Sequence, residues 1–208
     1  DPIGDLRLGH PQAPSISRGT FDLTRLQIFQ TPRNIVVEAT FAAPIQPVEI
    51  GLVDPHADRR RTRYAQTVDV YVDLQPGGEV EAPRGRGFTV PASEAWDTVL
   101  VISTFEHSAH SRAVVASHVS HYGRTLRAVF PRDALSGAPR GVLVAVLATS
   151  VSGEGGVRPV ATLPGECQTW DEVRCTLIGT GPDVLDATQS VEGDVITLAY
   201  AGEVRPEA

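Results

Sequence analysis

Four of the six histidines fall within one short stretch, in Glu106-His107-Ser108-Ala109-His110 and Ser117-His118-Val119-Ser120-His121-Tyr122. Imidazole is a favoured ligand for copper and zinc, so His107, His110, His118 and His121 form one candidate metal site. Their spacing sets a condition. If Ala113 to Val119 is one strand, His110 and His118 stand about 25 Å apart at roughly 3.3 Å per residue. The two pairs then share a metal only where Ser111 to Ser117 folds back, and two separate surface pairs are the plainer outcome. Asp1, Asp5 and Asp22 form a second group, with Gly4 beside Asp5. Calcium takes six to eight oxygens from carboxylates and carbonyls, and a glycine between close acids lets the backbone wrap an ion. An ordinary Asp-rich turn is the alternative. The two cysteines, Cys167 and Cys175, are eight positions apart. That spacing fits a small disulfide loop in an oxidising compartment, worth about 2–3 kcal/mol by loop entropy. Two free buried thiols are the other arrangement. Paired CxxC spacing of a zinc site is missing.

Other chemistries find less footing. There is no Gly-x-Ser-x-Gly phrase for an activated serine, and 25 acidic residues single out no glycosidase pair without a fold. The run Asp58-Arg59-Arg60-Arg61-Thr62-Arg63 could hold a polyanion, although a solvated loop is the commoner use of such a run. A net charge of −7 argues against a nucleic-acid partner, which calls for surplus cations. All 18 basic residues are Arg, and Lys and Met are absent, a composition in keeping with a GC-rich genome. Beginning at Asp1 without Met, the chain is expected to be the mature product of signal-peptide cleavage. No apolar run reaches 18 residues, so no membrane-spanning helix is expected. The longest candidate is Gly141 to Val151.

These residues must be carried by strands. Thr67 to Leu74 alternates, with Val68, Val70, Val72 and Leu74 to one side and Asp69, Tyr71 and Asp73 to the other. Asn34 to Phe41 is rich in β-branched residues. Phe21 to Phe29, Thr98 to Phe105, Ala113 to Val119, Thr125 to Phe130, Gly141 to Ser150 and Val195 to Tyr200 complete the set, with one helical turn at Pro131 to Leu135. Short strands punctuated by Gly and Pro predict an all-β antiparallel sandwich. Gln46 to Tyr64 and Gly153 to Thr180 read as long surface loops.

Several phrases, in order, resemble a known family. They are Asp1-Pro2-x-Gly4-Asp5, Gly19-Thr20-Phe21-Asp22-Leu23-Thr24 and Gln66-Thr67-Val68-Asp69-Val70-Tyr71-Val72-Asp73. Then come Trp96-Asp97, Arg158-Pro159-Val160, Pro182-Asp183-Val184-Leu185-Asp186 and Gln189. Together they resemble the C-terminal domain of glucodextranase, a DOMON-like sandwich similar to family 9 carbohydrate-binding modules. The resemblance implies one domain over 1–208, a structural calcium near the N-terminus, and a surface glycan or envelope protein as partner. The sequence departs from the family at Leu6, where a second acid is usual. It also carries Ser15-Ile16-Ser17 and Ala43-Pro44-Ile45 in place of aromatic phrases. With 6% aromatic residues, Trp96 and Trp170 are the candidate sugar platforms.

Two functions therefore stand in competition. One is a secreted, non-catalytic module at a bacterial cell surface, in the periplasm or outer envelope. The other is a secreted copper or zinc protein built on the clustered histidines, such as a copper-only superoxide dismutase-like enzyme.

Overall fold

A computed structural model describes residues 19–45, 63–104, 110–149 and 157, with the backbone of two further strands, Ala187–Glu192 and Val195–Tyr200. The strands in chain order are β1 (Leu23–Gln30), β2 (Asn34–Phe41), β3 (Gln66–Asp73), β4 (Thr98–Ile102), β5 (Ala113–Val115), β6 (His118–Tyr122), β7 (Thr125–Pro131), β8 (Gly141–Ala148), β9 (Ala187–Glu192) and β10 (Val195–Tyr200). They form a β-sandwich of a six-stranded sheet, β6-β7-β2-β1-β10-β9, and a four-stranded sheet, β5-β4-β3-β8. All pairs are antiparallel except β4 with β5. Among the described residues there is no α-helix. A 3-10 turn at Arg132–Ala134 occupies the place of the expected helical turn.

Alternation of side chains along each strand builds the core. Leu26 and Ile28, Ile35, Val37, Ala39 and Phe41, and Leu126, Ala128 and Phe130 face inward from the larger sheet. Val68, Val70, Val72, Leu100, Ile102, Val144 and Val146 meet them from the smaller one. Full burial of each large side chain contributes roughly 1.5–3 kcal/mol.

The far side of β3 departs from simple alternation. Asp69 and Tyr71, on the polar side of the strand, are 0% and 1% exposed. The chain between β3 and β4 folds back over that face. It carries Ala82, Val90 and Trp96 onto Tyr71, Val99, Val101, Leu143 and Ala145, giving a second apolar layer. The fold-back is pinned by Glu79 and Trp96, which exchange backbone hydrogen bonds of 2.8 and 2.9 Å. Gly78 sits beside them at φ 128°, where a Cβ would lie 2.6 Å from the Trp96 carbonyl oxygen, so only glycine fits.

The expected strand Ala113 to Val119 is two strands in different sheets. After β5 the chain crosses over, and the Ser117 amide donates to Val129 O (2.8 Å) as β6 begins. Single-sequence alternation could not see this, because Val114 and Val119 pack on the same core from opposite sheets. β9 had no counterpart among the expected strands.

Candidate functional site

The outward face of the six-stranded sheet is assembled by register. Across β6, β7, β2 and β1, one row reads His118, Val129, Val36, Phe29. The next reads Ser120, Arg127, Glu38, Gln27, and the third Tyr122, Thr125, Thr40, Arg25. Rows lie about 6.8 Å apart, and four strands span ~14 Å.

Glu38 sits at the centre of this face, with its side chain 11% exposed. The Arg127 Nη1 donates to its Oε1 (2.8 Å), and the Tyr122 hydroxyl donates to its Oε2 (2.7 Å). Bonds of this kind to an ionised acceptor are about twice as strong as neutral ones. The Tyr122 hydroxyl reaches a strand two places away, ~9.6 Å across the sheet, so its ring lies down over β7 rather than standing off it. Beneath it the Thr40 and Thr125 hydroxyls pair at 2.8 Å. The ring is nevertheless 52% exposed. The hydrogen bond to Glu38, then burial and the Glu38 charge, hold the Tyr122 hydroxyl above its usual pKa, so it stays a donor at neutral pH. The result is a ring half open to solvent, with the half-exposed Arg127 guanidinium beside it and its hydroxyl held by the nearly buried Glu38 carboxylate. Sequence reading passed over this group because its members lie up to 89 positions apart. The one local signal was Tyr122 at the end of the histidine-rich run.

A second concavity, about 510 Å³, opens at one end of the sandwich between Leu74, Asp97, Thr98, Arg112, Asp133 and Ser136. Its central carboxylate is committed to the fold. Asp97 accepts from the Leu74 and Gln75 amides at 2.8 and 3.0 Å and from the Gln75 side chain at 3.2 Å. Burial would raise its pKa, but these bonds and the Arg112 charge outweigh it and hold it below the usual carboxylate value.

The histidines are not brought together. His118 and His121 are three residues apart on β6 and therefore face opposite sides of the sheet. His118 lies in the outward row, and His121 lies on the other face, exposed, with its ring edge-on to Tyr64 (5.2 Å). His110 has both nitrogens occupied, Nε2 by Glu79 (3.0 Å) and Nδ1 by the Arg112 amide (3.2 Å). No cluster of three metal-ligating residues occurs among the described residues. Strand alternation and the crossover thus place His110, His118 and His121 apart; His107 lies outside the described residues.

Trp96, a candidate sugar platform in the sequence, lies inside the fold. It is 1% exposed, packed between Tyr71 (5.2 Å) and His110 (5.4 Å), so neither ring face is open to a ligand. Asp22 is buried at the entry to β1, 1% exposed. Asp1, Asp5, Cys167, Trp170, Cys175 and Arg59 to Arg61 lie outside the described residues. Arg63 donates to the Thr104 carbonyl, so this end of the arginine run ties down the chain leaving β4.

The family model of the C-terminal binding module of glucodextranase, described as SLH-like, matches residues 1–194. The chain belongs to this family. The resemblance carried by the ordered sequence phrases is thereby established, and the chain is a binding module for glycan or cell surface. No curated protein matches the chain. Within the described part of this glucodextranase-type module no helix is long and apolar enough to cross a membrane. Two features stand out among the described residues, the outward sheet face and the groove at the sandwich end. The first presents an exposed aromatic ring, Tyr122, beside the half-exposed Arg127 guanidinium.

Proposed function

We propose that this chain is an exported, non-catalytic module that holds its protein to a glycan at the bacterial cell surface. The observation that carries this reading is the outward sheet face. Tyr122 offers an apolar ring surface, and the half-exposed Arg127 guanidinium, held by Glu38, offers directional donors beside it. Aromatic rings and arginine dominate recognition surfaces because they combine large contact area with few rotatable bonds and oriented polar groups. Family membership supports the same reading, since the matched region is itself a binding module. Asp1, Asp5 and Asp22 would supply oxygen donors to a structural calcium. A Cys167–Cys175 disulfide accords with export.

Affinity electrophoresis tests the proposal. The purified module is run through gels containing soluble α-glucan, β-glucan, xylan or bacterial cell-wall glycan. Retardation by at least one polymer, reversed by the same polymer in solution, is the expected result. Unretarded migration in all of them, with capture of an envelope protein instead, would replace the glycan by a protein partner.

A further inference from the structure

Glutamate is rarely buried unless it is paired, and Glu38, on the outward side of β2, is 9% exposed. Both of its carboxylate oxygens are taken by side chains from other strands. From β7 the Arg127 Nη1 donates to Oε1 at 2.8 Å, and from β6 the Tyr122 hydroxyl donates to Oε2 at 2.7 Å. The two donors are the exposed members of the group, Tyr122 at 52% and the Arg127 side chain at 47%. The carboxylate thus lies in a lower layer, and the ring and guanidinium lie above it. Resting on the glycan reading above, we propose that Glu38 is a positioning residue of the recognition site. It touches no ligand, and it holds the Tyr122 ring and the Arg127 guanidinium at a fixed spacing for a sugar to meet them as one surface.

The chemistry of the position calls for a carboxylate. Two donors converge on it, and a carboxylate offers two acceptor oxygens where an amide offers one. Hydrogen bonds to an ionised acceptor are about twice as strong as neutral ones, so the tie holds against competing water. Tyr122 and Arg127 stand on adjacent strands, one row apart on the same face. Untied, each would sample several rotamers, and a ligand would have to order them at a cost in affinity. Glu38 orders both before the ligand arrives. Its bond to Arg127 uses one of the five N–H groups of the guanidinium, and sugar hydroxyl oxygens are suited to accept from the others. The tie also marks the Tyr122 hydroxyl. The Glu38 hydrogen bond, then burial and the Glu38 charge, raise its pKa against a Thr125 hydrogen bond and the Arg127 charge.

Glu38→Gln tests the role, because it keeps the shape of the side chain and leaves one acceptor for two donors. An alkaline absorbance titration of the intact module, with the matching Tyr122→Phe variant subtracted, reads the ionisation of Tyr122 and needs no ligand. In Glu38→Gln that ionisation should move to lower pH, since the leading cause of the raised value is gone. Affinity electrophoresis in soluble α-glucan, β-glucan, xylan or bacterial cell-wall glycan gives dissociation constants from retardation against polymer concentration. Glu38→Gln should weaken binding to the retarding polymer about twofold to tenfold, the cost of ordering a flexible side chain on binding. Tyr122→Phe cuts the same tie from the exposed side and should also weaken it. The double change should weaken it no more than Glu38→Gln by itself, because both act through one bond. Thermal melts confirm that each variant is folded. An unmoved Tyr122 ionisation in Glu38→Gln, or wild-type affinity, overturns the positioning role and leaves the glycan reading intact. Losses that multiply in the double variant overturn it too, since Glu38 would then contact the ligand on its own account. A wild-type module retarded by none of the polymers removes both the glycan reading and the role.

Discussion

Arg86→Ala takes a guanidinium from a carboxylate that has no route to water. Arg86 is 1% exposed and Asp69 0%. The pair is bidentate, Nε to Oδ2 at 2.7 Å and Nη2 to Oδ1 at 3.2 Å, and the Tyr71 hydroxyl also donates to Oδ2 at 3.2 Å. Burial would lower the Arg86 pKa, but the Asp69 charge and hydrogen bonds more than offset it and raise it. Removing one partner of such a pair costs about 3–5 kcal/mol, mostly for the buried charge left behind. At roughly 2–4 °C per kcal/mol for a chain of this size, the melting temperature should fall by roughly 6–20 °C. Urea denaturation followed by tryptophan fluorescence reads the change, because Trp96 sits in the same cluster. Arg86→Lys should fall between, since an ammonium cannot reproduce the fork. The double change Asp69→Leu with Arg86→Met should recover most of the loss. The same cluster sets an alkaline limit. Burial, then the Asp69 charge, pushes the Tyr71 hydroxyl well above its ordinary value. The unfolded chain releases that proton near about pH 10. The neutral tyrosine therefore stabilises the fold fully below that pH, and its contribution is lost as pH rises above it. A loss under about 1 kcal/mol in Arg86→Ala, at unchanged denaturant slope, would show that water reaches Asp69 and that the pair does not hold the fold-back.

Calcium is expected to raise the melting temperature by roughly 5–10 °C at a hundredfold excess over its dissociation constant. Chelation should remove the gain and Asp5→Ala should abolish it; a melting temperature indifferent to both leaves these acids as a turn. Alkylation without reductant should leave the intact mass of the native protein unchanged, as a Cys167–Cys175 disulfide requires. Two added alkyl groups would show free thiols.

The residues alone determined the class of the fold. β-Branched alternation in Asn34 to Phe41 and Gln66 to Asp73 is a local property, and it names strands wherever a period of two meets a buried face. Family membership was legible for a similar reason, since ordered phrases survive without any knowledge of contacts. Partnership between distant strands was decided by the tertiary structure. Trp96 read as an exposed platform, and only the fold-back of the β3–β4 connection shows it to be core. The histidines read as a cluster because they are close in sequence. The crossover between β5 and β6 and the alternation along β6 then separate them. Conversely, Glu38, Tyr122 and Arg127 carry no shared local signature. They meet because register places β2, β7 and β6 side by side, and register is set by the hydrophobic pattern of every strand in the sheet at once. Strand identity is written in single segments, whereas a site built across strands exists only once the core has chosen their order.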